Sequence, residues 1–201
     1  MNYRSTQEAR RALAQIAASQ GGYFTAKQAA TAGYGKRHLD YHAQTGNVER
    51  VQRGLYRLPE IPVNEHDELI RLSLWSRGRD DQPQAVVSHE TALGVHALGE
   101  LLPGNVHLTV PRTFRKPAPK GCVLHKAKIA PADIEQCEGY AVTTPLRTIV
   151  DVAVGQAVTQ DQLNNIVRQA LSTGQVRRKL ALAAANDQEL RRLSIALDTA
   201  G

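Results

Sequence analysis

The sequence predicts a mixed α+β chain, and three observations predict it. Between Gly22 and Pro59 two short helical stretches precede a strand pair rich in arginine. From His66 to Val154 short apolar strands alternate with capped helical stretches. From Thr159 onward a helical stripe takes over. The 201 residues can bury one large or two small cores, and the 42% hydrophobic content is that of a globular chain.

The first region begins at Thr25, whose hydroxyl suits an N-cap for a helix carrying Ala26, Ala29 and Ala30 at inward spacings. Gly33 and Gly35 end that helix and turn the chain. Lys36 to Thr45 forms a second helix, with Leu39 and Ala43 four apart on its buried side. Its outer side carries mainly Lys36, Arg37, Asp40, Tyr41 and Gln44. Beyond Gly46, Val48 to Val51 and Leu55 to Leu58 read as strands joined by Gln52, Arg53 and Gly54. Arg50, Arg53 and Arg57 decorate this hairpin. A helix sized for the major groove beside a basic hairpin is the arrangement of a winged helix-turn-helix, so residues 1–59 are expected to form a domain that binds double-stranded operator DNA. Arg37, Tyr41 and Gln44 are the candidates for base readout. Lys36, Arg50, Arg53 and Arg57 are those for the phosphate backbone, with His38 and Gln52 beside them. The alternative for these residues is a solvated basic face.

Pro59, Glu60, Ile61, Pro62 and Val63 form a stiff connector, and residues 60–201 are expected to form an α/β domain with a small mixed sheet. His66 to Ser76 reads as a helix with Leu69, Leu72 and Trp75 inward, followed by a polar loop to Pro83. Ala85 to Val87 is a short buried strand, and Ser88 caps a helix through Leu98. Val106, Leu108 and Val110 alternate with His107 and Thr109 as a strand. Cys122 to Lys128 and Tyr140 to Thr143 are two more. Thr144 and Pro145 start a helix carrying Ile149, Val150 and Val152. The helical tail begins near Thr159, which forms a capping box with Gln162 ahead of the stripe Leu163, Ile166, Val167, Ala170 and Leu171. Gly174 stops it, and Gln175 to Ala185 and Asp187 to Leu197 continue as helices. Their cations Arg177, Arg178, Lys179, Arg191 and Arg192 read as a solvated face.

The net charge of +6 is unevenly placed. Lys and Arg exceed Asp and Glu by five in residues 1–60 and by six in 112–128, whereas 61–111 and 129–174 are net acidic. Two separate contacts with polyanions are the pattern this implies. The second basic site is Arg112, Arg115, Lys116 and Lys120; Phe114 among them either stacks on a base or packs back on the sheet. Thr144, Arg147 and Thr148 at a helix start suit an anion such as a phosphate, or serve as a cap.

Two cysteines, Cys122 and Cys137, make no disulfide framework, and charges near Met1 interrupt any secretory segment, so a cytoplasmic protein with free thiols is expected. No apolar run reaches the length of a membrane span. No metal or other cofactor is expected. Cys122 and His125 fall on opposite faces of a strand, and His89 and His96 stand about 10 Å apart on a helix. His38 and His42 have helical spacing for one ion but lack an apparent third ligand, which favours DNA contact for one and packing for the other. A phosphate-binding glycine loop is missing, since Ala30 stands five positions before Gly35. A nuclease would need an acidic residue two before a lysine, and none of the seven lysines has one, so no enzyme is expected.

Residues 8 to 59 resemble the winged-helix N-terminal domain of the AbiE-type antitoxin family of type IV toxin-antitoxin systems. The resemblance rests on the glycine-ended helix, the charged helix after it, and Arg53, Gly54, Leu55 and Tyr56 in the places of an Arg-Gly-x-Tyr signature. The chain departs at Gly35, where a serine or aspartate cap is more usual, and at His42, where an aliphatic residue is. Ser88 to Leu93, Leu108 to Pro111, and Thr143 to Pro145 with Arg147, Thr148 and Asp151 are similar to motifs of that family's C-terminal domain. The resemblance implies a repressor of its own promoter, functionally coupled to a nucleotidyltransferase toxin without a stable complex between them. Oligomerisation on DNA is a separate expectation for a DNA-bound regulator. Three alternatives stay open: a winged-helix protein with a nuclease-like second domain, a solitary regulator without toxin, and a protein-interaction module.

Overall fold

The computed structural model of the chain describes residues 6–101, 104–155, 157–185 and 190–200. It divides into two units. The first runs to Pro83 and also takes in Cys137–Tyr140, and the second holds Gln84–Gln136 and the chain from Ala141 on.

In the first unit, α1 (Thr6–Ala18) turns Ala9, Leu13 and Ala17 inward at intervals of four, the repeat of one helix face. Strand β1 (Tyr23–Thr25) leads into α2 (Ala26–Ala32), then α3 (Lys36–Gln44), β2 (Glu49–Gln52), β3 (Leu55–Arg57) and α4 (Asp67–Ser76). The three strands form an antiparallel sheet in the order β1-β3-β2. Its central strand is buried along its whole length. The core joins Leu13, Phe24, Leu39, Val48, Tyr56 and Leu58, with Ala29 and Ala32 letting α2 come close. Burying one such Leu or Phe side chain stabilises by roughly 1.5–3 kcal/mol.

The expected helices and hairpin are present within a residue or two, whereas α1 and β1 were not anticipated. Helix α4 is tied to the same unit. Tyr23 donates to Asp67 Oδ1 at 2.6 Å, and Arg77 donates to Gln20 Oε1 at 2.8 Å, an oxygen that also accepts from Gln28 at 2.9 Å. Ile70 is fully buried. Against it lies Gly139, whose φ of 82° and lack of a side chain are both required, since a Cβ there would meet Ile70 at 3.1 Å and the Gln20 backbone at 3.2 Å.

The second unit contains β4 (Val86–Val87), α5 (His89–Val95), β5 (Val106–Val110), β6 (Cys122–Lys126), β7 (Ile134–Gln136), β8 (Ala141–Thr143) and helices α6 (Pro145–Val154), α7 (Gln160–Ser172), α8 (Arg178–Ala184) and α9 (Arg191–Thr199). The sheet order is β6-β5-β4-β8-β7. It is mixed, because β5 pairs parallel with β6 and β4 parallel with β8, while β4 with β5 and β7 with β8 are antiparallel. Strand β7 had no counterpart in the sequence reading. Helix α5 stops at Val95 instead of Leu98, where Ala97 turns at φ 53°. The expected start at Asp187 lies outside the described residues.

Thr159 and Gln162 form the expected capping box, Thr159 Oγ1 accepting from the Gln162 amide at 3.2 Å and Gln162 Oε1 from the Thr159 amide at 2.9 Å. Leu163, Ile166, Val167 and Ala170 are buried against Leu93, Ile149, Val152, Leu193 and Leu197. Two tail cations are structural, Arg178 donating to the Leu197 carbonyl and Arg192 to those of Gly155 and Val158. No helix among the described residues is long and apolar enough to cross a membrane.

Candidate nucleic-acid interface

The two helices that open the site are fixed by their ends. Thr25 Oγ1 accepts from the Gln28 amide at 3.1 Å and Gln28 Oε1 from the Thr25 amide at 2.8 Å, a reciprocal cap for α2. Gly33, at φ 108°, closes α2 by presenting its amide to carbonyls one turn back, a conformation that costs other residues about 1 kcal/mol or more. Gly35 then starts α3 without a side-chain cap, so the helix depends on Leu39, 3% exposed, to hold it on the core.

With Leu39 inward, Lys36, Arg37, Tyr41 and Gln44 are exposed. Tyr41 is 59% exposed, with only the His42 ring edge-on to it at 5.6 Å between centres among the ring contacts of the described residues. Arg50, Gln52 and Arg53 are exposed on the hairpin, which turns at Gly54 with φ 78°. Lys36, Asp40, Ala43 and Gln44 from α3 line one cleft together with Arg50 and Tyr56 from the hairpin. Helix and hairpin therefore present their polar side chains to a common groove. Among the described residues, Lys36, Arg37, Arg50 and Arg53 have no ion-pair partner.

Arg57 departs from the expectation. It is 8% exposed, donates to the Ile61 carbonyl, lies 3.6 Å from Glu49 Oε2 and has its guanidinium carbon 5.9 Å from the Tyr23 ring centre. The cause is register: Arg57 sits opposite Tyr23 on one side and Glu49 on the other, in the middle of the sheet. It is a structural residue and not a phosphate contact. His38 is half-buried, stacked on Tyr34 at 4.8 Å, with its Nε2 3.0 Å from that of His42. The expected division of one histidine for DNA and one for packing is replaced by a paired arrangement.

In the second unit Arg112, Arg115, Lys116 and Lys120 are exposed, whereas Phe114 is 4% exposed, packed inward and closed to a stacking base. Partial burial, which disfavours the charged ammonium, lowers the Lys116 pKa. The helix start at Thr144 does not have the free donors of an anion site. Thr144 Oγ1 accepts from the Arg147 amide at 3.3 Å, and Thr148 Oγ1 is buried against Thr143 at 2.7 Å. Arg147 is bound to Asp151 at 2.8 Å and lies 3.5 Å from Asp133. Pro145 has no amide hydrogen to offer. Thr144, Arg147 and Thr148 are a cap and an internal ion pair, with burial raising the Asp151 pKa against the opposing pull of Arg147.

Sequence reasoning missed an imidazole cluster in this unit. His89 stacks on His125 with ring centres 3.6 Å apart, His125 Nε2 lies 3.1 Å from His107 Nδ1, and His107 Nδ1 lies 2.8 Å from Glu90 Oε2. Ser88 Oγ is shared between Thr109, which donates at 2.8 Å, and His89 Nδ1 at 2.9 Å. His89 occupies φ 52°, a strained conformation for a residue with a side chain. Burial, then the neighbouring His125, His107 and Arg147, push its pKa down to about 3. Strand alternation held the signal, because His107 and Thr109 share one face of β5 and the parallel pairing sets His125 beside Thr109. Among the described residues no group of three or more His, Cys, Asp or Glu is arranged to hold a metal ion.

Residues 11–59 match the model of a family described as "Transcriptional regulator, AbiEi antitoxin", the stretch on which the sequence resemblance rested. The fold is similar to that in the crystal structure of the RV2827C protein from Mycobacterium tuberculosis, with a TM-score of 0.60 and 15% identity, covering 100% of this chain and 79% of that one. At that identity the likeness concerns the fold alone. No curated protein matches the chain.

Proposed function

We propose that the chain is a DNA-binding transcriptional regulator acting as the antitoxin of a type IV operon, repressing its own promoter and opposing a nucleotidyltransferase toxin. The observation that carries this reading is the groove shared by α3 and the hairpin, lined by Lys36, Gln44 and Arg50 with Arg37 and Arg53 exposed on the same helix and hairpin, inside a segment that matches a regulator family. In this reading α3 enters the major groove. Arg37, Tyr41 and Gln44 meet base edges there, and Lys36, Arg50, Gln52 and Arg53 hold phosphates. Occupancy of the promoter excludes polymerase. The basic loop at Arg112, Arg115, Lys116 and Lys120 supplies further phosphate contacts.

Fluorescence anisotropy with the chain's own upstream region against a scrambled duplex tests the DNA-binding half. Tighter binding to the upstream region, lost in Arg37→Ala, is the expected result; equal affinities refute a specific regulator. Co-expression with the neighbouring gene tests the antitoxin half. Growth rescued by this chain without co-purification is expected, and failure to rescue leaves a solitary regulator.

A further inference from the structure

His38 and His42 lie on the flank of α3 opposite Lys36 and Asp40, where helical spacing of four brings their rings together. Their Nε2 atoms are 3.0 Å apart. Both rings are held from behind by Tyr34, stacked on His38 at 4.8 Å and tilted to His42 at 5.5 Å. His42 also lines an open cleft with Arg10, Leu13, Tyr34, Asn47 and Val48. Two nitrogens converging at this distance, with their rings fixed in place, are a chelate arrangement.

We propose that His38 and His42 form a seat for a late transition-metal dication, Cu2+ or Ni2+, with water completing its coordination. The choice of ion follows from the separation. An ion bonded at about 2.05 Å to both nitrogens would see them about 94° apart, the cis angle of square-planar or octahedral coordination; a tetrahedral zinc site would need roughly 3.4 Å. Affinity ordering within the first-row series points the same way.

The metal-free state is accounted for by a shared proton. The Asn47 amide donates to His42 Nδ1 at 3.3 Å, so the neutral His42 ring carries its hydrogen on Nε2 and donates it to His38 Nε2. Binding the ion moves that hydrogen to His42 Nδ1 and frees both Nε2 lone pairs. Asn47 then turns its carboxamide to accept from Nδ1. The rings remain neutral and the ion keeps its charge, so the exchange balances. A dication here adds positive charge beside Arg37 and Tyr41, a consequence for DNA affinity that rests on the regulator reading above.

The test is calorimetric titration of the full chain with CuCl2, NiCl2 and ZnCl2, with circular dichroism to confirm that each variant is folded. In the wild type, one equivalent is expected to bind in the order Cu2+, Ni2+, Zn2+, and to weaken at least tenfold in His38→Gln and in His42→Gln. His107→Gln keeps that equivalent, and Asn47→Asp tightens it by supplying a carboxylate behind the ring. Wild-type stoichiometry and affinity in both His38→Gln and His42→Gln would overturn the site, and Zn2+ binding more tightly than Ni2+ would overturn its geometry. Anisotropy with promoter DNA separates the readings. Ni2+ that binds but leaves DNA affinity unchanged overturns the coupling alone, and a chain that binds Ni2+ but no DNA overturns the regulator alone.

Discussion

Two arginines four residues apart in one hairpin should behave oppositely on DNA. Arg53 is exposed at the turn, whereas Arg57 is 8% exposed and bonded to the Ile61 carbonyl. Three exposed cations, Lys36, Arg50 and Arg53, are assigned to the phosphate backbone. If each neutralises one phosphate, their share of the log–log salt slope is about −2.7. Between 50 and 200 mM salt that share is a loss of roughly 40-fold. Arg53→Gln should bring the share to about −1.8 and that loss to about 12-fold, uniformly across sequences. Arg57→Gln should leave the slope unchanged while removing a donor from a part-buried carbonyl, which costs roughly 1–3 kcal/mol of stability. Anisotropy titrations at four salt concentrations, paired with urea unfolding, measure both quantities. A change of slope in Arg57→Gln equal to that in Arg53→Gln would refute the assignment, as would an unchanged slope in Arg53→Gln.

Arg37→Ala should cost about 1 to 3 kcal/mol on the promoter and less on random DNA, if Arg37 pairs with a guanine; equal losses on both duplexes place it on the backbone. Replacing Arg112, Arg115 and Lys116 together by Gln should weaken promoter binding with the thermal midpoint unchanged, and unchanged affinity assigns that loop elsewhere. His89 should make the fold acid-sensitive. Its pKa is about 3 when folded against 6.5 for an ordinary imidazole, so the unfolded chain binds more protons between those limits. Stability is therefore complete above about pH 6.5 and is lost as pH falls toward 3, by no more than about 2 kcal/mol after allowing for partial solvent screening. Urea midpoints at pH 7, 6, 5 and 4 should fall more steeply for the wild type than for His89→Asn, which tolerates the same backbone angle; parallel curves would remove His89 as the cause.

Much of the fold was legible because local chemistry announces it. The caps at Thr25, Thr144 and Thr159, the turn glycines Gly33 and Gly54, and the stripe from Leu163 are signals carried within a few residues. Strand β1 was not legible. Three residues reading Tyr-Phe-Thr acquire strand geometry only by pairing with β3, which lies some thirty positions away. The same omission explains Arg57, since without β1 the hairpin has two open edges and its arginines look equivalent. The imidazole cluster was hidden for a related reason. His89, His107 and His125 come from a helix and two strands, and the alternation that puts His107 on one face of β5 does not say which strand pairs beside it. Exposure on α3 was readable from the inward Leu39, and the exposed candidates there are those the helical repeat selects.

The four-residue piece at Cys137–Tyr140 sets a limit on how the protein can be cut. A fragment stopping at Pro83 contains every base-reading candidate yet omits Gly139, leaving Ile70 bare to water on one side. Such a truncation exposes an apolar patch and invites self-association, so studies of DNA recognition by a shortened protein should graft a substitute for that missing turn or replace Ile70 with a polar residue.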